Sequence, residues 1–369
     1  MTSNVKILTI PLSGSCAIVS ENFGSQFQTY CSGSSISPLF VLGDAVELLN
    51  SLPSESIDCC MTSPPYWGKR EYEAGGIGLE KDFQDYINNL CAVFAEVKRV
   101  LKSTGSFWLN IGDSYANKQL LGIPWRVAIA LTDSQGWTLR NSAIWNKVKG
   151  GPDRAKDRLR NIHEHVFHFV KSPKGYYYNE DAIRSTPGKA KVVNGAIVSA
   201  TGVTGIRYQR QIELSTELTE TEKTNARAAL EAMLQEIKNG NLADFRMIIR
   251  GQQRTTHSNS TSVSGRAKEL KEKGFYFLKY HPKGSKPSDV WEILPEDSQK
   301  RKVHFAPYPV DLCKIPISAT CPPNGIVLDP FAGTGTTMVA ARLQMKKSIG
   351  IDICRRYLEV AQERSETIL

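Results

Sequence analysis

The chain has no Cys-x-x-Cys pair, no His-Glu-x-x-His signature and no internal repeat, so nothing in it suggests a zinc ribbon, a zincin protease or a solenoid. Its eight cysteines are scattered, and only Cys59 and Cys60 are adjacent. That usage excludes the disulfide frame of a small secreted domain and points to a reducing compartment. No apolar run approaches the roughly 18 residues of a membrane span. The Val5–Ile10 stretch is broken by Pro11 and then by serine and glycine, so a soluble intracellular protein with no membrane partner is expected.

What is present is a chain of 369 residues, 41% hydrophobic, long enough to bury a large core as two units or as one catalytic domain with a large insertion. The formal net charge of +9 suits a partner that is a polyanion, although ribosomal, membrane-surface and ordinary proteins share that balance.

Residues 1–36 are polar and serine-rich without a sustained period, and read as an extension laid over or outside the core. Phe40–Leu42 then reads as a strand, Ala45–Leu52 as a helix stopped near Pro53, and Ile57–Met61 as a buried strand. Phe83, Ile87, Leu90, Phe94, Val97 and Leu101 recur at helical spacing, with Lys98, Arg99 and Lys102 where a helix C-terminus favours cations. Strands over Ser106–Ile111, Trp137–Trp145 and His165–Val170 and a helix over Pro124–Leu131 continue the alternation, which argues for a mainly parallel sheet covered on both faces. The pattern changes over about 181–285, where Thr219–Glu222 forms a capping box opening a helix that ends at Asn239-Gly240 amid a polar, arginine-bearing stretch. After Trp291 the α/β pattern resumes, with strands over Ile326–Asp329 and Ser348–Asp352 and a helix over Thr336–Leu343.

Two motifs carry chemistry. Asp329-Pro-Phe331-Ala-Gly333-Thr334-Gly335-Thr336-Thr lies between a strand and a helix, where glycines let the backbone turn tightly and approach a ligand. Asp352 follows Gly333 by about 20 residues, the separation that puts a carboxylate on ribose hydroxyls. A two-glycine turn also occurs for purely structural reasons. The loop lacks the Lys-Ser/Thr of a phosphate loop, so a nucleoside without phosphates fits better, its hydroxyls on Asp352, its base between Phe331 and Ile353, and a cationic end facing Asp329.

The second motif is Ser63-Pro64-Pro65-Tyr66, directly after a buried strand. Two prolines stiffen the turn and remove two N–H donors, while the Ser63 hydroxyl and Pro64 carbonyl remain as acceptors and Tyr66 can stack on a planar ring. A turn carrying a half-buried tyrosine is the plainer explanation of the same residues.

Together, Thr62–Trp67 followed much later by Leu328–Thr337 resembles the amino-methylating DNA methyltransferases, in the permuted order called the beta group, from Gly43 to about Arg364. The resemblance implies a Rossmann-like, seven-stranded α/β core dependent on S-adenosyl-L-methionine. Residues 37–180 would be its catalytic half, 181–285 an inserted target-recognition region, and 286–369 its cofactor half. It implies that Asp44, in the Gly43-Asp44 turn, meets the cofactor adenine, and that Tyr308 and Pro309, within His304–Leu312, cover the methionine moiety. Ser63, Pro64, Pro65 and Tyr66 become the catalytic residues, acting on a base swung out of duplex DNA. Serine at the first position favours cytosine N4 over adenine N6. Cytosine-C5 chemistry is disfavoured because neither Cys59 nor Cys60 follows a proline. Double-stranded DNA, a homodimer and a cognate restriction endonuclease are the partners that the resemblance allows, in prokaryotic cytosol or nucleoid.

Arg207, Arg210, Arg246, Arg250, Arg254 and Arg266 are candidate DNA contacts, with structural arginines as the alternative. His163-Glu-His165-Val-Phe-His168 lacks metal-binding spacing, and no metal is expected. No general base is evident, so the surplus proton of methyl transfer is expected to leave to solvent. An inactive protein that binds cofactor and DNA is the rival class, opposed by the intact Ser63–Tyr66 turn.

Overall fold

A computed structural model describes residues 22–69, 75–150, 155–186, 188–251, 265–296 and 308–367, together with the backbone of 17–19. The chain divides into two compact units. One combines residues 1–182 with 288–369, and the other is Ile183–Pro287.

In the larger unit the chain runs through β1 (Ala17–Val19), α1 (Phe23–Ser32), β2 (Leu39–Leu42), α2 (Ala45–Asn50), β3 (Ile57–Thr62), α3 (Phe83–Val100) and β4 (Leu101–Ile111). A small hairpin of β5 (Tyr115–Ala116) and β6 (Gln119–Leu120) leads to α4 (Ile123–Gln135), β7 (Thr138–Asn146) and β8 (His163–Val170). The smaller unit contributes β9 (Lys191–Val193), β10 (Ala196–Val198), α5 (Gly205–Glu213), α6 (Glu220–Lys238), β11 (Asp244–Ile249), α7 (Gly265–Lys273) and β12 (Phe275–Tyr280). The larger unit then resumes with β13 (Val290–Glu292), α8 (Val310–Thr320), β14 (Ile326–Asp329), α9 (Thr336–Leu343), β15 (Lys347–Asp352) and α10 (Arg355–Glu366).

Nine strands form the main sheet, in the order β1-β2-β15-β14-β3-β4-β8-β7-β13. Seven of them, β2 through β7 in that order, make the expected core, and the three-residue β1 and β13 extend its edges. Only β8 runs antiparallel to its neighbours, β4 and β7. Because helices cover both faces, β3 is buried at all six positions, which its Ile-Asp-Cys-Cys-Met-Thr sequence permits because Asp58 is paired. The Asp58 carboxylate accepts from Lys102 Nζ at 2.7 Å and from the Ile326 amide at 2.9 Å, tying β14 to its neighbour.

Helix α3 shows how local chemistry places an element. Asp82 caps its N-terminus by accepting from the Gln84 amide, and Tyr86, Ile87, Leu90, Val93, Phe94, Val97 and Val100 form its buried stripe. At its far end Arg99 donates to the Leu49 and Leu52 carbonyls, fastening α2.

The N-terminal segment departs from the expectation of an extension without regular structure. Phe23 and Phe27 of α1 are buried in the main core, and Tyr30 Oη both accepts from the Ser348 amide and donates to its carbonyl. Two phenylalanines four residues apart suffice to bury one face of a ten-residue helix; its serines and glutamines lie on the other.

The smaller unit has its own core of Tyr208, Ile212, Leu218, Leu230, Phe245, Met247 and Phe275 around the antiparallel β11–β12 pair. The expected capping box of α6 is present, with Glu222 accepting from the Thr219 amide at 2.8 Å. No helix among the described residues is long and apolar enough to cross a membrane.

Chain direction across the sheet reverses between β14 and β3: from β14 the succession proceeds to β15, and from β3 to β4 on the other side. At such a switch point the loops after adjacent strands part and leave a crevice. The loops parting here are the glycine loop after Asp329 and the proline turn after Thr62.

Candidate active site where β3 meets β14

Asp329, the last residue of β14, is fully buried and anchors both motifs. Its Oδ1 accepts from Thr62 Oγ1 at 2.5 Å and from the Phe331 amide at 3.0 Å; its Oδ2 accepts from Thr337 Oγ1 at 2.6 Å and from Tyr308 Oη at 3.0 Å. Burial raises its carboxyl above the usual range, opposed by the donors from Thr337, Thr62 and Phe331. With two donors on each oxygen, Asp329 is a girder for the turn and the loop. The expected approach of this carboxylate to a cationic ligand is not what the geometry provides.

The glycine loop is held from three sides. The Ala332 amide donates to the Ile351 carbonyl, the Gly333 amide donates to Asp352 Oδ2 at 2.8 Å, and Arg364 Nη1 donates to the Thr334 carbonyl at 2.7 Å and to its hydroxyl at 2.9 Å. Gly335 stands at φ +79° in the N-cap position of α9, and a Cβ there would meet the Ala361 side chain at 2.7 Å, so both its backbone angle and its surroundings require glycine. Thr336 Oγ1 lies 3.3 Å from Arg364 and opens that helix.

Asp352 ends β15, and burial pushes its carboxyl up to about 6 despite the amides of Cys354 and Gly333. Each oxygen takes one of these amides, so acceptor capacity remains for hydroxyls. Beside it, Ile353 is 45% exposed. The Gly43 amide donates to the Asp352 carbonyl, which sets Asp44 at the neighbouring strand end. Asp44 caps α2 through the Val46 and Glu47 amides and is otherwise exposed. Two carboxylates, half-buried Phe331 and exposed Ile353 are a set suited to an adenosine.

On the other side of the crevice, Tyr66 donates to Glu164 Oε2 at 2.6 Å, and its Oη lies 3.3 Å from Ser63 Oγ. Asn110 Nδ2 lies within 2.9–3.1 Å of Glu164 Oε2, Tyr66 Oη and Ser63 Oγ, and Lys147 Nζ donates to Glu164 Oε1 at 2.5 Å. Burial, with the Glu164 charge beside it, holds the Tyr66 phenol well above its usual value, so it stays a neutral donor. A Cβ on Gly112 would stand 2.7 Å from the Tyr66 ring; only glycine leaves the ring its place. Tyr86 Oη donates to the Pro65 carbonyl at 2.8 Å, and Pro64 is buried. Burial pushes the Cys59 thiol up to about 12, and Cys60 is fully buried too, so neither serves as a nucleophile.

A stiff, acceptor-bearing turn near a loop suited to a nucleoside is an arrangement compatible with group transfer. A family model described as DNA methylase, for the N6 and N4 class, matches residues 57–363. The chain belongs to the DNA methylase family. The type II methyltransferase M.SfiI of Streptomyces fimbriatus is 33% identical to this methylase over 377 residues, spanning 86% of this chain and 88% of that one. M.SmaI of Serratia marcescens is 28% identical, spanning 88% and 89%. Among solved structures, the PvuII DNA methyltransferase, cytosine-N4-specific, is similar at a TM-score of 0.52 and 19% identity, covering 89% of this chain and 86% of that one, a likeness of fold.

The methylase thus brings together Ser63, Pro64, Pro65 and Tyr66 in one turn, and Phe331, Gly333, Thr334, Gly335, Thr336, Asp352 and Ile353 around one loop. Tyr308 and Pro309 precede α8, where Tyr308 braces Asp329 and Thr337 through hydrogen bonds. The arginine candidates divide. Arg207 and Arg210 lie exposed on α5, Arg246 on β11 and Arg266 on α7, whereas Arg254 lies outside the described residues. Arg250 is committed within the smaller unit, where its guanidinium donates to both oxygens of Glu222 and to the Glu217 and Lys271 carbonyls.

Glu164, Asn110 and Lys147 are site residues that the sequence motifs do not single out. The signal for Glu164 lies in strand alternation: on β8 it shares a face with Val166 and His168, both buried, an inward position where an unpaired carboxylate is not tolerated.

Proposed function

We propose that this DNA methylase transfers a methyl group to the exocyclic N4 amino group of cytosine in duplex DNA, as the modification partner of a type II restriction system in prokaryotic cytoplasm. The observation that carries the base assignment is Ser63, whose neutral hydroxyl stands first in the turn where adenine-methylating relatives mostly carry aspartate or asparagine.

S-adenosyl-L-methionine is the cofactor, and when bound it supplies an electrophilic methyl group on a sulfonium centre. Asp352 holds its ribose hydroxyls, Phe331 and Ile353 flank its adenine, and Asp44 accepts from the adenine amino group. The flipped cytosine stacks on Tyr66, whose ring is fixed by Glu164 and Gly112. Its amino nitrogen is a weak nucleophile because the lone pair is delocalised into the ring. Ser63 Oγ and the Pro64 carbonyl accept its N–H bonds and turn the lone pair toward the methyl group. The surplus proton leaves to solvent after transfer. The smaller unit is the target-recognition module, with Arg207 and Arg210 on phosphates.

Nucleoside mass spectrometry of duplex DNA methylated by the protein tests this assignment. N4-methylcytosine is expected. N6-methyladenine as the sole product would overturn the use of Ser63 to choose the base and leave amino-methylation intact.

A further inference from the structure

The connection between β7 and β8 leaves the main sheet on the side of the proline turn. β4 is parallel to β3, with Leu109 beside Thr62, and β8 runs back along β4, with His165 beside Ile111, so β7 ends and β8 begins at the end of the sheet where the turn lies. Within this connection Leu159 is 91% exposed, whereas no other large hydrophobic side chain among the described residues exceeds 68%. A single apolar residue on a surface is ordinary. Leu159 is set apart by its place beside the site and by how its neighbours are fixed and charged.

The guanidinium carbon of Arg158 stands 4.1 Å from the centroid of the Tyr115 ring, and Arg158 Nη1 donates to the Leu159 carbonyl at 3.2 Å. Asp157 pairs with Lys118 at 3.7 Å, and Arg160 donates to the Gly150 carbonyl at 3.3 Å. Tyr115 and Lys118 belong to the β5–β6 hairpin, and Ser114 just before it donates to the carbonyl of Trp67, the residue after Tyr66. At the base of the connection the Lys147 amide donates to the Ile162 carbonyl, and Lys147 Nζ lies 2.5 Å from Glu164, which holds the Tyr66 hydroxyl. Leu159 is thus carried by segments tied to the residues around Tyr66, while its own side chain faces solvent. The described residues between 147 and 162 place Lys147, Lys149, Lys156, Arg158 and Arg160 against the single acid Asp157, a balance that suits a polyanion.

We propose that Leu159 is the wedge that opens the duplex: its side chain enters the base stack at the target step and occupies space that the flipped base vacates, while the basic side chains beside it meet the phosphates. The inference rests on the base-flipping reading above and deepens it by naming a residue that drives the base out. Apolar side chains separate stacked bases in this way, because burying the wedge between them offsets part of the cost of unstacking. Leucine suits the task, since it carries no polar group to desolvate, and the anchored Arg158 and Arg160 on either side reduce the ordering that binding would otherwise require. Leu159 touches the duplex and not the reacting amino group, so it is a positioning residue.

The test uses two duplexes carrying the methylation site, located beforehand by mapping the bases that the parent protein methylates. In one the target base is paired, and in the other it is mismatched. A mismatched base is cheaper to extrude and so depends less on the wedge. The reading is the ratio of the mismatched to the paired rate in single-turnover methyl transfer at saturating cofactor. In Leu159→Ala this ratio rises at least about fivefold over the parent's, because transfer to the paired target slows while transfer to the mismatched one is nearly retained. Leu159→Met keeps a similar apolar volume and stays below that mark. Both variants fold and bind cofactor as the parent does, since the side chain packs against nothing in the core. A Leu159→Ala ratio that rises by less than about fivefold overturns the proposal, whether both rates fall together or neither falls, and so does a Leu159→Met ratio above that mark. The parent protein's own product reports separately on the underlying function: a parent that methylates no amino group of duplex DNA overturns that function, and this inference with it.

Discussion

Thr62 Oγ1 donates to the buried carboxylate of Asp329 at 2.5 Å, across 267 residues of sequence. Thr62 is the last residue before the proline turn and Asp329 the first of the glycine loop, so one hydrogen bond joins the two motifs at their roots. The strands they end, β3 and β14, are parallel neighbours, and the bond ties the proline turn to the glycine loop.

Thr62→Val therefore leaves a fully buried carboxylate oxygen short of one donor. The expected cost is about 1–3 kcal/mol of stability, seen as a lower denaturant midpoint at unchanged slope. Methyl transfer should fall further than cofactor binding does, because Asp329 keeps its contacts to Phe331, Thr337 and Tyr308. Equal stability in parent and variant would show that the bond is not holding the turn.

Gly112→Ala places a methyl group 2.7 Å from the Tyr66 ring. The ring must move, and its bond to Glu164 with it. A large loss of kcat with cofactor affinity retained is expected, measured by steady-state methylation and calorimetric titration of cofactor. Wild-type kcat would mean that Tyr66 is free to shift without consequence.

Asp352 gives a pH dependence of defined sign. Its carboxyl stands at about 6 because of burial, above the ordinary 3.8. In the free protein that shift contributes stability below pH 3.8, lost as pH rises through about 6. Ribose hydroxyls donate to the ionised form and favour it, so cofactor binding lowers this pKa. Affinity should accordingly be flat above about pH 6 and weaken as pH falls below it. Calorimetry between about pH 5 and 7 checks this, and Asp352→Asn should bind weakly with the slope gone. A parent affinity flat over that range would detach Asp352 from the ribose.

Arg250→Ala and Arg207→Ala should differ in kind. Arg250 closes onto Glu222 and two carbonyls, so its loss lowers the thermal midpoint while the salt dependence of DNA binding stays put. Arg207 and Arg210 are exposed, and losing either should reduce the salt slope by about one without changing the melting temperature. Melting curves and binding titrations at several salt concentrations separate the two behaviours.

Much of the larger unit is legible in the sequence because its elements obey local rules, and the same holds for the helix opened by Thr219 in the smaller one. The α3 stripe, the β14-loop-α9 succession and the Thr219 capping box are each written in consecutive residues. What is not legible depends on contacts across strands. Glu164 reads as part of a histidine-rich segment until β8 is laid beside β4, where Asn110 meets it at 2.9 Å. Asp329 reads as a ligand contact until its four donors are counted, and Phe23 and Phe27 reveal a helix only once a core exists for them to enter. Whether an arginine is committed to a protein partner, as Arg250 is to Glu222, is likewise decided by a residue 28 positions away.

The most direct measurement is transfer of labelled methyl from S-adenosyl-L-methionine to unmethylated duplex DNA, comparing the parent with Ser63→Ala and Tyr66→Ala. Label on an exocyclic amino group, reduced by at least about 100-fold in both variants while each still binds cofactor, is the predicted result. Undiminished transfer by the Ser63 and Tyr66 variants, or label on a ring carbon, would contradict the assignment of the proline turn as the site of chemistry.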